Sequence, residues 1–131
     1  MISKGDTEKQ ATLRDNLIKK SKASRSMYVS TILSVLKPDM ILLDVGCGTG
    51  HILQELATDR KRSQLVGLDV SKAMLKVAKG NCSRFDNVGL VVADGLELPF
   101  PDKAFDIINN EIGGLLTQGS ISGLERRRVF L

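Results

Sequence analysis

From Met40 the chain carries a continuous apolar run, Met-Ile-Leu-Leu-Asp-Val, that stops at Gly46. An unbroken run of this kind predicts a strand covered on both faces, where strict alternation would mark a half-exposed one. Gln64 to Asp69 reads as a second buried strand, and Val88 to Ala93 and Phe105 to Ile108 read as a third and a fourth strand. Between the first two lies a helical stripe, Ile52, Leu53, Leu56 and Ala57; after the second, a helix from Ser71 carries Met74, Leu75 and Ala78 on one face. The turn-rich segment Leu98-Pro99-Phe100-Pro101-Asp102 separates the last two strands. Upstream, Val29, Ile32, Leu33 and Leu36 stand at i, i+3, i+4 and i+7, an amphipathic helix closed by Pro38 and expected to pack on the sheet. Thr7 to Arg25 carries only a thin stripe, Leu13, Leu17 and Ile18, suited to a surface helix or a mobile lid. Strands alternating with helices imply parallel pairing through right-handed crossovers, hence an α/β, doubly wound, mainly parallel sheet preceded by N-terminal helices.

With 131 residues, 42% of them apolar, the chain suffices for one core. The pattern divides it into an N-terminal helical arm or lid (1–38), an α/β core (39–112) and an atypical or truncated tail (113–131). Trp is absent and Tyr28 is the one tyrosine, so base-stacking surfaces are poorly supplied and a nucleic-acid partner is disfavoured. The net charge of +4 arises largely from Lys19, Lys20, Lys22 and Arg25 and from Arg126, Arg127 and Arg128, and reads as solvated surface. Cys47 and Cys82 form no metal-type or redox-type pair, and His51, the single histidine, has no second ligand near it, so no metal is expected. Met1 to Gln10 is polar, and no apolar run approaches the roughly 20 residues that cross a bilayer. These features predict a cytoplasmic protein with no membrane insertion.

Candidate chemistry concentrates in Asp44-Val45-Gly46-Cys47-Gly48-Thr49-Gly50, a glycine-rich turn from a strand into a helix. Gly46 suits a sharp turn, Gly48 the close approach of a ligand and Gly50 the close seating of the helix on the sheet. Free N–H groups of the loop and the helix dipole are expected to face the ligand. Asp69 ends the second strand, where a carboxylate meets a ribose in nucleotide-binding βαβ units; Ser71 supplies the helix cap and leaves Asp69 available. Asp94 ends the third strand likewise, so Asp44, Asp69 and Asp94 line one carboxyl edge.

DVGCGTG, LVGLDVS and VVADGLELPFPDKAFDII, in that order, resemble the successive motifs of class I S-adenosylmethionine-dependent methyltransferases. The LPFPDKAFD run is similar to the ubiquinone and menaquinone biosynthesis branch, and the resemblance covers roughly Met40 to Asn109. It implies a Rossmann-like methyltransferase fold with the fourth strand beside the first, and S-adenosyl-L-methionine as cofactor, leaving S-adenosyl-L-homocysteine as product. It implies that Gly46, Gly48 and Gly50, with Cys47 between them and Asp44 in support, line the methionine and ribose portion. It further implies that Asp69 accepts from both ribose hydroxyls, Val70 and Met74 pack on adenine, and Asp94, Gly95 and Leu96 read the adenine amino edge. A dinucleotide fingerprint runs G-x-G-x-x-G, but here the third glycine comes one position early and His51 stands in its place, so NAD is disfavoured.

Methyl transfer from a sulfonium needs alignment and water exclusion more than acid–base groups. No catalytic residue is therefore assigned, and Asn109, Asn110 and Glu111 are the polar candidates near the methyl group, Asn109 also counting toward the cofactor. The segment lacks the Asn-Pro-Pro-aromatic signature of the nucleobase amino-methyltransferases it otherwise resembles, which favours a small-molecule acceptor. Gly113 to Leu131 has Gly and Ser where such domains continue with a helix and further strands. The expectation is a cofactor-binding half with negligible turnover alone, prone to self-association through an exposed sheet edge.

Overall fold

The computed structural model describes residues 7–19, 22–94, 100 and 104–110. In chain order these form α1 (Glu8–Lys19), α2 (Lys22–Leu33), β1 (Ile41–Val45), α3 (His51–Asp59), β2 (Gln64–Asp69), α4 (Lys72–Asn81), β3 (Val88–Val92) and β4 (Ile107–Asn110). The strands pair in parallel in the order β3-β2-β1-β4, so β1 is interior and the chain reverses its direction of travel across the sheet after β3. Leu43 of β1 stands between Val66 of β2 and Ile108 of β4.

Side chains of the strands alternate between two apolar layers. Leu42, Leu65 and Ile107 join Ile32, Leu36, Leu53, Leu56 and Ala78 on one face; Leu43, Val45, Leu68, Phe105 and Ile108 form the other. Each of these large residues that is fully buried contributes about 1.5–3 kcal/mol of apolar transfer. Gly67 in β2 is required by this packing, because a Cβ there would stand 2.5 Å from Leu53 Cδ1 and 2.8 Å from Cys47 Sγ.

Four boundaries differ from the sequence pattern. The two N-terminal helices are present as expected, but α2 starts at Lys22, inside the first expected segment, and ends at Leu33, leaving Leu36 buried just beyond it. On α1 the stripe is on the other face: Ala11 and Asp15 are buried, whereas Leu13 and Leu17 are 61% and 57% exposed. Small Ala11 lets α1 lie close on α4, and polar contacts hold Asp15 inside, so apolar periodicity marks the wrong side. β4 lies two residues later than Phe105 to Ile108, because Asn109, polar in sequence, is satisfied internally and continues the ladder. β1 and β3 are each one residue shorter than their apolar runs. The segment 95–99 and the tail 113–131 lie outside the described residues, and among the described residues no helix is long and apolar enough to cross a membrane.

Candidate functional site

At the carboxyl end of β1 the chain turns through Gly46, Gly48 and Gly50, with φ of 77°, 58° and 82°. These left-handed values favour glycine. Gly50 is the N-cap of α3, and a Cβ on it would stand 3.2 Å from both Ala78 Cβ and Cys82 Sγ. Its lack of a side chain thus brings the turn against α4, rather than α3 onto the sheet as the pattern suggested. The loop is tied down from within. Gly46 and Cys47 donate their N–H groups to the Leu68 carbonyl, Gly50 donates to the Cys47 carbonyl, and Gly48 donates to Asp69 Oδ2 at 2.9 Å. The loop N–H groups expected to face a ligand are therefore largely spent on the fold, while no side chain caps the N-terminus of α3.

Asp69, at the end of β2, also accepts from Ser71 N at 2.9 Å through Oδ1. Ser71 caps α4 by accepting from Met74 N, as expected, yet Asp69 is not left idle: it braces the loop against the α4 turn. Each carboxylate oxygen retains a further acceptor position. Asp44 is fully buried, beside Asn109 in the strand register, and accepts from Asn109 Nδ2 at 2.9 Å through Oδ1. Its Oδ2 is buried with no hydrogen-bond partner, as is Thr49 Oγ1 in the same loop. Burial pushes the Asp44 carboxyl up to about 7; the Asn109 bond pulls it down and the Asp69 charge adds to the rise.

Three residues absent from the sequence-derived set complete the surroundings. Tyr28 on α2 donates from its hydroxyl to Asn109 Oδ1 at 2.5 Å. Asp15 on α1 meets His51 Nε2 at the start of α3, and both are buried. Asn81 at the end of α4 donates to Asp15 Oδ1 and to the Thr49 carbonyl. Their only sequence signal is a polar residue on a helix face that also carries small or apolar neighbours, as Asp15 follows Ala11 by one helical turn.

Asp44, Asp69, Asn109 and the glycine loop are thus brought together. Met74 lies over Gly48, its Cε 3.1 Å from where a Cβ would be, and is buried; Val70 follows β2, half-buried. The Cys47 side chain belongs to the core over Gly67, leaving only its backbone to the loop. Asp94 is exposed just beyond β3. Gly95, Leu96 and Glu111 lie outside the described residues. A cleft of about 400 Å³ lined by Leu33, Pro38, Arg60 and Arg62 is at the opposite, amino end of the strands.

This arrangement suits a ligand rich in hydrogen-bond donors and carrying positive charge, since it offers an unpartnered buried carboxylate oxygen and a second carboxylate with acceptor capacity. Residues 36–118 match the family model of a methyltransferase domain. The chain is 43% identical over 67 residues to a demethylmenaquinone methyltransferase of Tropheryma whipplei strain Twist, covering 51% of this chain and 27% of that one. It is 40% identical to a malonyl-[acyl-carrier protein] O-methyltransferase of Legionella pneumophila, over 51% of this chain and 24% of that one. The chain therefore spans about a quarter of the length of these relatives. A solved SAM-dependent methyltransferase from Aquifex aeolicus superposes with a TM-score of 0.56 at 26% identity, over 63% of this chain and 46% of that one. The matched stretch takes in the glycine loop, both acidic strand ends and β4, and on that ground the chain belongs to the methyltransferase domain family, of the class I, S-adenosylmethionine-dependent kind.

Proposed function

We propose that the carboxyl edge of β1 and β2 holds S-adenosylmethionine, and that the chain serves methyl transfer to a small-molecule acceptor by supplying the cofactor-binding half. The observation that carries this reading is the placing of Asp44 and Asp69 at one sheet edge beside a loop in which Gly46, Cys47, Gly48 and Gly50 already donate their N–H groups within the fold. Two carboxylates at one sheet edge favour a cation with hydroxyl and amine donors and repel the charge of a phosphate-rich dinucleotide.

When bound, the cofactor supplies an electrophilic methyl group on a sulfonium. Asp69 accepts from the ribose hydroxyls through the lone pairs that Gly48 and Ser71 leave open. Asp44 offers Oδ2 to a donor of the ligand, Met74 and Val70 give an apolar wall to the base, and Asp94 with Gly95 and Leu96 takes its amino edge. The uncapped N-terminus of α3 favours the ligand's carboxylate. With no general base assigned, alignment of the acceptor and exclusion of water carry the rate. The names of the relatives support an acceptor outside nucleic acid, presenting a carbon or oxygen nucleophile. A cytoplasmic location, and self-association along β4, at one edge of the described sheet, belong to the same proposal.

Titration calorimetry with S-adenosylmethionine, S-adenosylhomocysteine and NAD tests it, alongside transfer of labelled methyl to a demethylated quinone. Binding of the first two without NAD is expected, with little turnover by this chain. Tight NAD binding with no response to either sulfur nucleoside overturns the assignment.

A further inference from the structure

A side chain of α2 reaches the sheet site from outside the sheet. Tyr28 donates to Asn109 Oδ1, and Asn109 in turn donates through Nδ2 to Asp44 Oδ1. The two contacts span α2, β4 and β1, and Asp44 and Asn109 are both fully buried. A side-chain amide has two ends of opposite character, one accepting and one donating. With the phenol donating to its carbonyl end, the amide presents its N–H end to Asp44, the arrangement that favours an ionised carboxylate. Turned over, the same amide would present its carbonyl to Asp44 and favour the protonated acid instead.

We propose that Tyr28 is a positioning residue of the cofactor site, which holds the Asn109 amide in the orientation that keeps Asp44 an acceptor for the ammonium of the cofactor's amino-acid end. This rests on the cofactor reading above and adds to it a determinant on α2. Two independent features point the same way: the unpartnered Asp44 Oδ2, which needs a donor, and the burial of the carboxylate, which makes a positively charged donor preferable to a neutral one. The groups acting on Asp44 are Asp69 on β2, whose charge disfavours its ionisation, and Asn109 on β4, whose bond favours it; Tyr28 on α2 stands one bond further out.

The probe pair that isolates the effect is S-adenosylhomocysteine, which carries the amino-acid end, and 5′-methylthioadenosine, which lacks it. Affinities are measured for the wild type and Tyr28→Phe between pH 5.5 and 8.5, with circular dichroism confirming the fold. Tyr28→Phe is expected to weaken S-adenosylhomocysteine about tenfold at pH 7, leave 5′-methylthioadenosine within about twofold, and move the pH midpoint of S-adenosylhomocysteine affinity upward. Asn109→Ala, measured in the same way, gives the same ligand-selective loss and is the variant to use if Tyr28→Phe does not fold. Equal losses for both ligands, or no loss with an unmoved midpoint, overturn the positioning role. Failure of the wild type to bind either ligand overturns the cofactor reading instead.

Discussion

Replacing Asp44 with asparagine should make the protein more stable at neutral pH while weakening it as a cofactor site. The folded carboxyl titrates near 7 instead of at its ordinary 3.8, chiefly because burial disfavours the charged form. Between those two values the folded protein holds a proton that the unfolded chain has released. Its favourable contribution is therefore complete below about pH 4, falls by about 1.4 kcal/mol per pH unit as pH rises toward 7, and is exhausted above 7. The amide of the Asp44→Asn variant has no such dependence, and its carbonyl can still accept from Asn109. The stability difference, variant minus wild type, should thus climb by about 2–3 kcal/mol between pH 5 and pH 8. An amide nitrogen in the place of Oδ2 is a buried donor without a partner and subtracts about 1–3 kcal/mol at every pH, so the slope is the quantity to read. Urea unfolding followed by circular dichroism at pH 5, 6, 7 and 8 measures it. A difference that stays flat across this range would show that Asp44 is ionised in the fold throughout and would refute the reasoning.

If Asp69 accepts from two ribose hydroxyls as proposed, each bond worth about 1.5–3 kcal/mol, Asp69→Ala should weaken S-adenosylhomocysteine by roughly tenfold or more in calorimetry. Unchanged affinity in a folded variant would remove Asp69 from the site. Gly67→Ala drives a methyl group against Leu53 and Cys47 and should cost about 1–3 kcal/mol, read as a lowered unfolding midpoint; an unaltered midpoint would mean the two layers yield more readily than the distances imply. Asp15→Ala leaves His51 and Asn81 without their partner on α1, so amide exchange in residues 8–19 should quicken about tenfold for each 1.4 kcal/mol lost while β1 and β2 stay protected. Equal protection of α1 in both proteins would show that Ala11 and its packing suffice.

The sheet was legible where apolar runs mark its strands. β1 and β2, largely buried, match their apolar runs to within one residue despite Asp44 and Asp69, and β3 does so as well although its residues are only half-buried or exposed, because its apolar run is unbroken. β4 was displaced because Asn109 looks like the start of a turn until its partners, 65 and 81 positions away in sequence, are known. The same reason hid Tyr28, Asp15 and Asn81: a hydrogen bond across elements leaves no period in the sequence. On α1 the period was misleading, since Leu13 and Leu17 are exposed and the helix docks through Ala11 and Asp15. Asp69 was located by its place at a strand end, but its bracing of Gly48 was not, because local reasoning assigned the capping to Ser71 alone.

The order of the strands carries a consequence for synthesis. Of the four described strands β1 is the first to leave the ribosome and β4 the last, yet they are neighbours, with β2 and β3 made in between. Until β4 emerges, one side of β1 is open to water, and Asp44 can remain hydrated and ionised at cellular pH. Seating β4 strips that water away and supplies Asn109 in the same movement. A nascent chain that pauses before residue 107 displays an unpaired apolar β1 edge, marked by a single charge, to whatever else is being made nearby.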